Sequence, residues 1–120
     1  MWNALERWLW GEPVSRRSVA HDAPPEVADA VYRLSRRIRS AREDRGWTQQ
    51  VFADRMGVSR TTVVQVEQGK LGSAIATYAC ALHELGMLDG FELLADPDRD
   101  PEAAILAALD AEQGPAYLGD

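Results

Sequence analysis

Apolar side chains along this chain recur at three- and four-residue intervals, the period of a helix, and nowhere alternate as a strand would. Trp2, Leu5, Trp8 and Leu9 are spaced for a short amphipathic helix, which Gly11 and Pro13 end. Residues 11–23 read as a linker. Beyond Pro24-Pro25, the stripe Val27, Val31, Leu34, Ile38 and Ala41 predicts a helix over about 26–45, stopped by Gly46. Thr48 is placed to cap a helix that runs to Met56, and Gly57 to close it in the left-handed conformation. Ser59 opens another over about 60–68, closed by Gly69. Ser73 is expected to cap a helix over about 74–85, closed by Gly86, and residues 88–94 make a short one. After the turn-rich residues 96–100, Asp100 and Pro101 open a last helix over about 102–113. The chain therefore reads as all-α. A compact five-helix domain covers residues 24–95, preceded by a Trp-rich segment and linker (1–23) and followed by an acidic C-terminal helix and tail (96–120).

Composition narrows the picture. An apolar share of 46% suffices for a core, and 27% charged residues suit a soluble surface. No run approaches the roughly 20 apolar residues that a membrane span needs. The first ten residues carry an acid and lack both a basic start and a cleavage site, so no signal peptide is expected. Cys80 stands alone, which excludes an internal disulfide and fits a reducing cytoplasm. The net charge of -6 conceals an asymmetry: residues 15–70 hold 11 Lys/Arg against 7 Asp/Glu, whereas residues 71–120 hold one Arg against 10 acids. Phosphate binding follows the local field, so the middle segment remains able to meet a polyanion.

Only Gly57-Val58-Ser59 separates the two short helices, the spacing of a helix-turn-helix. Phe52, Ala53, Met56, Val58, Val63 and Val66 are expected to face inward, with the small Ala53 at the crossing. Arg60, Thr61, Thr62, Val64 and Gln65 are left outside, on the helix whose first turn enters the major groove in this motif. Thr48-Gln49, Ala53, Gly57-Val58-Ser59, Thr62-Val63, Glu67 and Gly69, with Arg42, Gly46 and Leu85-Gly86 beyond them, resemble the Cro/C1-type (xenobiotic-response-element) helix-turn-helix repressors over about residues 34–86. The resemblance implies a lambda-repressor-like fold. Val51 departs from it, because many members carry Glu there and close a capping box.

The same resemblance implies roles. Gln49 would donate to a DNA phosphate, and Arg60, Thr61 and Gln65 would read bases. Arg60 suits a bidentate contact to guanine, Gln65 suits adenine, and Thr61 or Thr62 a thymine methyl or a phosphate. Lys70, and Arg36 or Arg39, are weaker phosphate candidates. Arg42 and Glu67 would form a buried ion pair. Binding would follow the family habit: a homodimer on a pseudo-palindromic double-stranded operator.

Other features carry less. Arg33, Arg36, Arg37 and Arg39 read equally as a solvated helix face or as a phosphate ladder. His21, His83 and Cys80 lack metal-ligand spacing, and no P-loop, dinucleotide turn or nucleophile with its base is present, so neither metal, cofactor nor enzymatic activity is expected. Thr77-Tyr78, Leu82, Leu85-Gly86, Leu88, Phe91 and residues 95–100 resemble HipB-like antitoxins, which repress their own operon and hold a HipA-type kinase toxin inactive. The apolar residues beyond position 70, from Ile75 and Tyr78 through Leu82, Leu85 and Met87 to Leu94, are expected to supply the dimer contacts. Trp2, Trp8 and Trp10 either fold back on their own dimer or anchor a partner protein. The expected function is a sequence-specific transcriptional repressor of the antitoxin type. A stand-alone phage-type or metabolic repressor is the alternative, and so is an interaction module that no longer reads DNA.

Overall fold

The computed structural model describes residues 3–5 and 18–113, so Trp2, Trp8, Trp10 and most of the expected N-terminal helix lie outside the described residues. Among the described residues there are seven α-helices and no strand: α1 (Val19–Asp22), α2 (Pro25–Asp44), α3 (Gln49–Met56), α4 (Arg60–Glu67), α5 (Ile75–Glu84), α6 (Leu88–Glu92) and α7 (Pro101–Gln113). A 3-10 turn, Pro97–Arg99, precedes α7. The single turn of α1 sits where a linker was expected. Ser18 creates it, its hydroxyl accepting the His21 amide at 3.2 Å.

Helix ends follow from local chemistry. Thr48 accepts the Val51 amide at 3.1 Å and Ser59 accepts the Thr62 amide at 3.2 Å, each at the head of its helix. Gly57 closes α3 with φ 73°, its own amide reaching Asp54 and the Val58 amide reaching Ala53. That pair of bonds satisfies carbonyls a helix end would otherwise leave bare. Asp100 caps α7 through Oδ1, which accepts the Glu102 and Ala103 amides at 3.1 and 3.2 Å. Ser73, by contrast, caps nothing. Its amide closes a turn onto Lys70 O at 3.1 Å, and α5 starts two residues later behind Ala74.

The chain divides into two units, one ending at Leu85 and one beginning at Gly86. In the first, Ile38 of α2, Phe52, Ala53 and Met56 of α3, Val63 and Val66 of α4, and Tyr78, Ala81, Leu82 and Leu85 form the core. Only the second half of α2 enters it, for Val27 is exposed and the buried residues of this helix are Ser35, Ile38 and Arg42. Tyr78, Leu82 and Leu85 were expected at a dimer contact and are instead core residues of their own chain. The second unit holds α6, the 3-10 turn and α7, and none of its described residues is buried. The expected compact five-helix domain is therefore not matched. The core closes at Leu85, and the chain turns at Gly86 (φ 73°) before the fifth expected helix, which itself stops at Glu92.

Candidate nucleic-acid interface

Helices α3 and α4 pack on each other through Phe52, Ala53, Val63 and Val66, all nearly inaccessible to solvent. Burying this face leaves Arg60 and Thr61 exposed in the first turn of α4, with Thr62, Val64 and Gln65 half-buried behind them. The Thr62 hydroxyl lies 3.0 Å from that of Ser59, so its polar end belongs to the cap of α4. Val58 is half-buried at the turn, less enclosed than expected.

Beneath this turn runs a polar chain that crosses three helices. Arg42 of α2 donates to both oxygens of Glu67, at 2.6 and 2.9 Å, and to the Trp47 carbonyl at 2.7 Å. Glu67 is 3% exposed, so the ion pair sits in the core. Its carboxylate raises the Arg42 guanidinium further above the ordinary arginine range by hydrogen bonding, against the opposing effect of burial. Glu67 Oε1 also accepts from Gln49 Nε2 at 3.3 Å, and Gln49 Oε1 accepts from Arg60 Nη2 at 3.4 Å. The fold thus brings Arg42, Glu67, Gln49 and Arg60 into one connected set, and puts Thr61 and Gln65 on the helix that Arg60 begins.

The remaining candidates stand apart. Lys70 is exposed just past α4, its carbonyl accepting from the Tyr78 hydroxyl at 3.1 Å. Arg39 is bound to Glu43 at 2.8 Å, an exposed pair one helical turn apart. Such a pair is worth under about 1 kcal/mol, so a phosphate can displace it. Arg36 lies over the Tyr32 ring at 5.8 Å, while Arg33 and Arg37 are exposed. His21 and His83 are exposed, and the Cys80 thiol points to Met56 O at 3.7 Å. Among the described residues no cluster of three or more His, Cys, Asp or Glu could hold a metal ion. No described helix is long and apolar enough to cross a membrane.

Three contributors escaped the sequence reading. Trp47 precedes the Thr48 cap and packs on Phe52 with ring centroids 5.9 Å apart, a hydrophobic staple that sets how the chain enters α3. Arg55 covers the same indole at 4.1 Å. Arg45 donates to Leu85 O at 2.7 Å and so ties the end of α2 to the end of α5. The staple had a signal, an apolar residue just before a cap and another five positions on, but the arginine contacts had none.

No curated protein matches the chain, and no solved structure does. One family model matches, that of a helix-turn-helix domain, over residues 33–85. The match starts within α2 and ends at Leu85, where the core closes. Over residues 33–85, a little under half of the chain, the sequence is thus similar to a helix-turn-helix domain.

Proposed function

We propose that this chain is a sequence-specific transcriptional repressor that binds a pseudo-palindromic operator as a homodimer, a DNA-binding protein with no enzymatic activity of its own. The observation that carries the reading is the first turn of α4: Arg60 and Thr61 stand exposed at the head of a helix whose other face is locked into the core by Val63 and Val66. A helix held in this way can enter the major groove without rearranging. Arg60 then reads guanine, Gln65 adenine, and Thr61 a neighbouring base edge. Gln49, Thr62, Lys70 and Arg39 meet phosphates, and Gln49 adds its amide to the N-terminus of α3. The dimer is made by exposed apolar side chains, with Ile75, Met87, Leu93 and Leu94 the candidates.

Selection of binding sites from a random duplex pool tests the reading. Two half-sites about one helical turn apart should be enriched. Affinity for the enriched site should fall steeply with salt, as expected of a protein that displaces several counterions. A pool that stays random after selection would sink the proposal and leave the interaction-module alternative.

Within that reading, the pattern from Thr77-Tyr78 to Asp100 supports an autoregulating antitoxin that also holds a HipA-type kinase. Its support in the fold is α7, where Ile105, Leu106 and Leu109 are exposed and take no part in the proposed dimer contact. A tagged chain that retains a kinase-sized protein after nuclease treatment would favour it over a stand-alone repressor. A chain that retains only DNA would favour the stand-alone form.

A further inference from the structure

The amide of Gln49 has one donating and one accepting end, and a half-turn about its last bond exchanges them. Both neighbours select the same orientation. Glu67 Oε1 can only accept, so it requires Gln49 Nε2 on its side, as observed at 3.3 Å. Arg60 can only donate, so it requires Gln49 Oε1, as observed at 3.4 Å. The exchanged orientation would set oxygen against carboxylate and an NH2 group against a guanidinium. Glu67 is itself immobilised, 3% exposed and gripped through both oxygens by Arg42. Order therefore passes outward from a rigid buried pair, through a half-buried amide, to an exposed guanidinium at the head of α4.

We infer that Glu67 is a positioning residue for base reading: acting through Gln49, it fixes where the Arg60 guanidinium is presented to the groove. The inference rests on Arg60 contacting a base. It leaves the ligating groups their capacity, because Gln49 keeps one amide N–H for a phosphate. Arg60 commits one of its five N–H groups and keeps enough for a bidentate contact. On this account the buried ion pair sets specificity as well as holding α2 to α4.

The test uses the full chain and the operator obtained by selection. Arg60→Ala first identifies the base pair that Arg60 reads. Arg42→Met and Glu67→Met are then made together, since replacing a buried ion pair by apolar groups of similar volume commonly preserves a fold. A melting curve checks that it does. Affinities are measured for the operator and for every single-base variant. Discrimination at the Arg60 base pair should fall about two- to tenfold, the worth of one hydrogen bond, while other positions keep theirs. Gln49→Ala should show the same local loss on top of a uniform weakening, and it carries the test if the double variant fails to fold. Unchanged discrimination at that base pair in a folded double variant, or in Gln49→Ala, overturns the inference. If Arg60→Ala alters no base preference, the base-reading role itself fails and the inference falls with it.

Discussion

Gly69 shows how much one hydrogen atom in place of a side chain can decide. Its φ is 74°, and a Cβ there would lie 3.3 Å from the Tyr32 Cα and 3.4 Å from the Ser35 hydroxyl. Gly57 has nearly the same φ with nothing within 4 Å. Gly57→Ala should therefore cost only the left-handed strain, about 1–2 kcal/mol. Gly69→Ala should cost more, because backbone rather than a flexible side chain must move. Urea midpoints of the two variants measure the difference, and equal losses would mean the approach to α2 is loose. Arg42 makes a prediction in pH. Its folded-state pKa is raised, so the stability it contributes is fully present below its unfolded value and disappears only as pH rises through the folded one. The loss in stability on replacing the pair together, Arg42→Met with Glu67→Met, should accordingly show no change from deprotonation of Arg42 between about pH 7 and about pH 10. A steady decline over that range in matched denaturant melts would place another group in control. The residue types of the polar chain were legible in the sequence, and Arg42 with Glu67 came from the family resemblance. The bonds from Gln49 to Glu67 and to Arg60 were not, since they join residues 18 and 11 positions apart whose meeting depends on how α3 crosses α4.

Helix boundaries were the most legible part of the fold because each is decided within about five residues. Thr48, Ser59 and Asp100 bond to amides two or three positions away, and Gly57 needs only its own left-handed φ. Where an end depends on the core, local reading failed. Ser73 has a capping side chain, yet the turn from Lys70, anchored by the Tyr78 hydroxyl, moves the start of α5 past it. The caps can be tested in opposite directions. Ser59→Ala removes the bond to the Thr62 amide and should lower stability by about 1 kcal/mol. Val51→Glu restores an acid three residues after Thr48, where it can reach back to the Thr48 amide, and should raise stability by about 0.5 kcal/mol. Thermal melts of the two single variants would show both, and a destabilised Val51→Glu would mean the exposed valine is packed more usefully than its 40% accessibility indicates.

The whole molecule is two units of unequal character. Every described core residue precedes Gly86, and the 10 acids that dominate residues 71–120 are concentrated past that point, with only Glu84 before it. This division was half legible. The change in charge was plain, but the expected five-helix count is not matched, because helical spacing alone does not say which helices share a core. A chain ended after Gly86 should still melt cooperatively, while its operator affinity falls with loss of the proposed dimer contact. A truncated chain with no cooperative melt would show that the first core needs the second unit. Helix α7 adds a consequence of a different kind. It spans 13 residues with none of them buried, near the length at which an isolated helix is only marginally formed in water. Its backbone amides should then trade hydrogen for solvent deuterium almost as fast as those of an unfolded peptide, while the amides of α3 and α4 resist. That contrast makes α7 a built-in clock. A partner that settled on it would slow the exchange and mark its own footprint residue by residue.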